Sequence, residues 1–269
     1  MLYMFAITIL SADMIAFALR RTHRAHLDEI DASFRASAPT PGARDDLPAA
    51  VVALAARLGA RAGNRAKVAV FNQTGEMWQA PNTKPSVFSA RQTAALDAPG
   101  FLWRASFQPA GVTQVADYLV GGTGGLEVRL FGAIRLVAII GGSTIALGET
   151  LRYLAEIPWN PDAILRNRAL EWTVIDDTTI AVAVSMDTDR AEVTFTLDAA
   201  GLIVAARASA RPYVVNGVTT SRPWHGRFWD YRQTGGRLIP CQGEVAWVLD
   251  AGDFVYWRGQ IVDWETQPD

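Results

Sequence analysis

Four carboxylates in this chain stand where acid–base chemistry could be done. Glu149 and Glu156 lie seven residues apart in a helix-like segment, and Asp230 and Glu244 lie in the strand-like C-terminal run. Two carboxyl groups a few ångströms apart in a dry pocket, one with a raised pKa, make a general acid and a general base. Glu156 with Glu244 is the pair an enzyme of this kind would use. The same side chains have two other uses. Arg152, Arg207, Arg211 and Arg258 are available to neutralise them, fixing a helix on a sheet, and Glu149, Arg152 and Glu156 form a ladder along one helix flank. A carboxylate or arginine at a cavity mouth would instead hold the polar head of a ligand.

Other chemistries find little support. His23, His26 and His225 fit no metal-ligand spacing, and the single cysteine, Cys241, leaves neither a disulfide framework nor a multi-cysteine zinc site within the chain. Its reading is a small buried strand residue. The glycine clusters at 121–125 and 141–142 lack the phosphate-loop pattern and read as a hairpin and a helix start. No GxSxG elbow is present. A net charge of −2 offers no basic surface for nucleic acid. No catalytic residue, metal site or cofactor is assigned.

Aromatic residues carry the stronger signal. Residues 223–265 hold five tryptophans and two tyrosines, with turn signals at Gly235-Gly236 and at 250–253. In the last strand, strict alternation sends Tyr256, Arg258 and Trp264 one way and Trp257 and Ile261 the other. So much aromatic surface needs a cover: a helix, a second sheet or a ligand. Trp103, Glu156, Trp159, Tyr231, Glu244, Trp247, Tyr256 and Arg258 are the candidate ligand-binding residues.

The elements that must position them are mostly strands. Residues 67–71, 76–79, 86–92, 101–107, 114–120 and 126–131 read as β. Within 101–107, Phe101, Trp103, Ala105 and Phe107 alternate with Leu102, Arg104 and Ser106. Residues 134–140 are apolar apart from Arg135, and fit a buried strand or the lead into a helix. A helix is expected over 143–157, ended by Pro158, with a further turn at 161–166. Strands follow at 171–175, 180–184, 191–197 and 202–210. An earlier helix starts at Asp45-Asp46-Leu47-Pro48 and ends at Gly59. This order gives an α+β fold: a large curved antiparallel sheet, a half-barrel, packed against a central helix and spanning 45–269.

Residues 1–19 are almost wholly apolar and are followed by Arg20, Arg21 and Arg24. At ~1.5 Å per residue the run is just long enough to cross a bilayer. Three readings follow: a single-pass inner-membrane anchor (1–24) with a linker at 25–44, a cleaved secretory signal, or a helix packed on the body. With an anchor, the arginines place the body in the cytoplasm; a periplasmic body is the alternative.

Two blocks carry a resemblance. They are YLAEIPWNPDAIL (153–165) and the 223–265 run, with its PWxG, DYxxxxGxxIPxxGExxW and FxYWRG patterns. Over residues 45–265 the chain resembles a bacterial, often membrane-anchored family that carries only a domain-of-unknown-function label. Its architecture is also similar to the LolA, LolB and LppX-like lipoprotein carriers, in which a curved sheet closed by helices holds acyl chains. The resemblance implies a binding protein with an apolar small molecule or lipid between sheet and helix, touching the membrane through 1–19. The alternative is a module docking a protein partner through its aromatic face.

Overall fold

The computed structural model describes residues 2–36, 44–63, 65–215 and 217–268, with side chains from Met14 onward. Thirteen strands form one sheet: β1 (Val68–Met77), β2 (Ser86–Ala95), β3 (Phe101–Phe107), β4 (Thr113–Val120), β5 (Thr123–Leu130), β6 (Ile134–Ile140), β7 (Glu171–Asp176), β8 (Thr179–Ser185), β9 (Arg190–Leu197), β10 (Ile203–Val215), β11 (Val218–Thr234), β12 (Arg237–Leu249) and β13 (Gly252–Gln267). The helices are α1 (Leu2–Arg35), α2 (Ala49–Arg57), α3 (Ser143–Ala155) and α4 (Asp162–Arg166).

The strand order is β6-β5-β4-β3-β2-β1-β13-β12-β11-β10-β9-β8-β7, antiparallel throughout. Two meanders therefore meet where β1 pairs with β13, and β6 and β7 are left as open edges. Tight turns make the meanders possible. Val120 pairs with Thr123 across Gly121-Gly122, and Thr234 with Arg237 across Gly235-Gly236. All four glycines have positive φ, the geometry a two-residue type I′ hairpin demands.

The segment joining the two edges holds α3, and it crosses the concave face. α3 touches β4 and β5 on one side and β8, β9 and β10 on the other. In a flat sheet β5 and β10 would lie eight strand spacings apart, roughly 40 Å at ~4.8 Å each. One helix reaches both only because the sheet curls round it. Gly124 allows the close approach: a Cβ there would sit 2.9 Å from the Ile145 carbonyl oxygen.

Phe101, Trp103 and Ala105 face the concave core and Leu102 the convex side, so the alternation expected of β3 holds. Residues 134–140 do form a strand, but an exposed one, at the open edge of the sheet.

The N-terminal expectation is corrected. α1 continues unbroken to Arg35, and among the described residues no helix is long and apolar enough to cross a membrane. The side chains of residues 1–13 lie outside the described residues. Beyond them, α1 docks on the convex face: Leu27, Ile30 and Phe34 are buried against Val68, Val70, Leu102 and Tyr118. Asp31 accepts the Thr93 hydroxyl, and Asp28 accepts from Arg104. Residues 25–35, read as linker, are therefore packed helix. The rest of that stretch, 37–43, lies outside the described residues.

Candidate functional site

The crossover is pinned at the C-terminal end of α3 and just beyond it by the residues of the first sequence block. The Tyr153 hydroxyl and the Asn160 amide both donate to the Ala95 carbonyl, at 3.1 and 2.9 Å. Trp159 Nε1 donates to the Pro240 carbonyl, and Trp264 Nε1 to that of Trp159, each at 2.8 Å. Asp162 receives Arg237 through two bonds of 2.7 Å, with both side chains buried. These contacts fix where α3 lies over the sheet, and a cavity of about 280 Å³ remains between them.

Its walls are aromatic. Trp103 comes from β3, Trp224 and Phe228 from β11, Trp247 from β12, Tyr256 and Trp257 from β13, and Trp159 from the turn after α3. Trp103, Trp159, Trp224 and Trp257 are buried. The aromatic face is thus the inside of the molecule rather than a surface open to a partner protein. A larger groove, about 980 Å³, lies at the other end of α3, but turns and small residues line it and its one charged side chain, Asp187, is exposed.

One wall of the aromatic cavity is polar. From α3, Glu149, Arg152 and Glu156 face Asp117 of β4 and Arg211 of β10. Arg152 sits at the centre, bonding Asp117 and, at 2.9 Å, Glu156, with its guanidinium 4.6 Å from the centre of the Phe101 ring. Gln92 donates to Glu156 and accepts from Arg152. Burial opposes the Arg152 charge, yet the carboxylates of Glu156 and Asp117 outweigh it and raise its pKa.

Burial, reinforced by the charge of Asp117, pushes the Glu149 carboxyl well above the glutamate range, so it keeps its proton and hydrogen-bonds to Asp117. Burial also raises Asp117, against the opposing pull of Arg152 and Arg211. Glu149 Oε2 and Asp117 Oδ1 are buried and have no hydrogen-bond partner among the described residues.

Of the residues expected from the sequence, Trp103, Glu156, Trp159, Trp247 and Tyr256 line this cavity. Three lie elsewhere. Tyr231 is half-buried and donates to the Ile203 carbonyl at 2.6 Å. Glu244 and Arg258 are cross-strand neighbours bonded to each other at 2.8 Å on the convex face. Val245 and Trp247 point inward, so Glu244, one residue before Val245, points out, and Glu156 and Glu244 share no pocket.

Asp117, Glu149, Arg152 and Arg211 take the polar role instead, and two β-bulges explain part of the difference. Ala208 pairs with Trp224 but Arg211 with Arg222, so β10 has one extra residue and Arg211 is switched to the concave side. On β13, Val245 pairs with Trp257 and Ala246 with Val255, leaving Tyr256 as the extra residue. Tyr256 and Trp257 therefore both line the cavity, contrary to strict alternation. A third bulge, between Ile261 and Asp263, turns Trp264 into the same core as Ile261.

A family model matches residues 37–259, which include the cavity and the whole crossover. The chain belongs to the family of unknown function DUF6544. No curated protein matches it. Among solved structures the chain is similar to a LolA superfamily protein from Nitrosomonas europaea, at 13% identity and a TM-score of 0.45, covering 81% of this chain and 93% of that one. A DUF1329 family protein from Desulfovibrio piger gives 11% identity and 0.45, with 81% and 92% covered. A putative outer membrane lipoprotein-sorting protein domain from Vibrio parahaemolyticus gives 10% and 0.42, with 75% and 86% covered. The likeness to LolA-type proteins expected from the sequence is present at this low level of similarity.

Proposed function

We propose that this DUF6544 member is a binding protein that holds a small apolar molecule between α3 and the concave face of its sheet. The observation that carries this reading is the cavity itself. Its volume of about 280 Å³ lies at the small end of ligand pockets, which run ~300–1,000 Å³, and its walls are mainly aromatic and aliphatic with one polar side. At ~0.8 kcal/mol per buried methylene, a chain of about eight carbons would contribute roughly 6 kcal/mol before the cost of association. The polar side favours holding over reaction. Arg152 bonds both Asp117 and Glu156 and holds these carboxylates in fixed ion pairs.

The test is native mass spectrometry of the full chain purified from bacterial cells without detergent, beside a Leu126→Trp variant whose indole would occupy the cavity. One small apolar molecule per wild-type chain, lost in the variant, is the expected result. A clean unliganded mass for wild type, with the fold intact by circular dichroism, would contradict it.

A further inference from the structure

Arg211 is the exception among the buried arginines. Arg237 meets Asp162 and Arg166 meets Asp97, each through two bonds of 2.7 and 2.9 Å respectively. Arg211 is only 8% exposed yet has no carboxylate within 4 Å among the described residues. Its guanidinium lies 5.0 Å from the centre of the Trp224 ring and 5.6 Å from that of Trp247. Its one hydrogen bond, 3.3 Å to the Tyr256 hydroxyl, is long. The same hydroxyl oxygen accepts Trp224 Nε1 at 3.0 Å. Two donors thus converge on Tyr256 Oη, and its own proton meets no acceptor among the described residues. Asp117 acts on Arg211 only across space, without a direct bond, and a buried guanidinium that gains a bonded carboxylate makes strong charge-assisted bonds.

We propose that Arg211 and Tyr256 form a head-group seat and that the ligand is an amphiphile ending in a single carboxylate, its apolar body lying along Trp103, Trp159 and Trp257. This rests on the apolar-cavity reading and adds the chemical class of its occupant. A planar carboxylate matches the guanidinium fork and also accepts the Tyr256 proton. A phosphate monoester carries about −1.5 to −2 charges and would set one of them unmatched beside Asp117, because Arg152 is already committed to Asp117 and Glu156. Glu149, which keeps its proton, adds no second repulsive charge.

Isothermal titration of the full chain with decanoate, decan-1-ol and decyl phosphate tests the seat. A charge-assisted hydrogen bond predicts decanoate binding about 10- to 100-fold tighter than decan-1-ol. Arg211→Met is expected to remove that advantage, so that decanoate binds no more tightly than decan-1-ol. Arg211→Lys, a point charge without the fork, is expected to keep part of it, and Tyr256→Phe to reduce it; both remain informative if Arg211→Met fails to fold. Equal binding of acid and alcohol to wild type would overturn the seat and leave the apolar cavity standing. Binding of neither would overturn both. Decyl phosphate binding more tightly than decanoate would overturn the carboxylate class.

Discussion

Arg237 on β12 and Arg211 on β10 belong to one sheet, and both are buried, yet their surroundings differ in kind. Arg237 closes on Asp162 with matched bidentate bonds, and the same carboxylate also accepts the Arg61 amide at 2.9 Å. Arg211 has tryptophan rings, a shared tyrosine hydroxyl and open volume around it. The first arrangement joins the crossover to the far hairpin and leaves nothing for a ligand. The second leaves its charge available. The contrast separates residues that hold this fold together from residues that can recognise something.

The largest effect should come from breaking the closed pair. Asp162→Asn leaves a buried guanidinium without its anion, and urea denaturation should show a loss of about 3–5 kcal/mol. Trp247→Ala comes next. Its ring is only partly buried and faces the cavity, so a stability cost of about 1–3 kcal/mol is expected, below the ~3–5 kcal/mol of a fully packed tryptophan such as Trp159. Its decan-1-ol affinity, read by calorimetry, should fall about tenfold.

Arg211→Met should do the reverse of Asp162→Asn. Replacing an unmatched buried charge with an apolar side chain should leave stability within about 1 kcal/mol of wild type or raise it. A loss as large as that of Asp162→Asn would mean that the two arginines do the same job.

The smallest effect is a pH dependence. The folded-state pKa of Glu149 is raised from 4.5, so the native chain holds a proton that the unfolded chain releases. Stability then falls as pH rises above that ordinary value, until the raised pKa is passed. Glu149→Gln removes this dependence, so its stability relative to wild type should be greater at about pH 7 than at about pH 4. A difference independent of pH would mean that folding leaves the Glu149 carboxyl at its ordinary pKa.

Much of the scaffold was legible because it is locally consistent. The β3 alternation has no bulge, the Gly-Gly turns admit few conformations, and Pro158 limits α3. The tryptophan-rich end announced a covered face for the same reason. The polar wall was not legible in the same way. Arg211 and Tyr256 are placed by bulges, and one extra residue swaps every side chain beyond it to the other face. Asp117 meets Arg152 and Glu149 only because the sheet curls around α3, a relation that strand-by-strand reading does not contain. The docking stripe of α1, Leu27, Ile30 and Phe34, was present at helical spacing, but the apolar run before it drew the reading toward a membrane span.

The most direct measurement is tryptophan fluorescence of the full chain titrated with 10-bromodecanoate, whose bromine quenches indoles it touches. Saturable quenching at one molecule per chain, abolished by Leu126→Trp, is the predicted result. Absent quenching, or quenching that rises without saturation, would contradict a ligand held between α3 and the tryptophan-lined sheet.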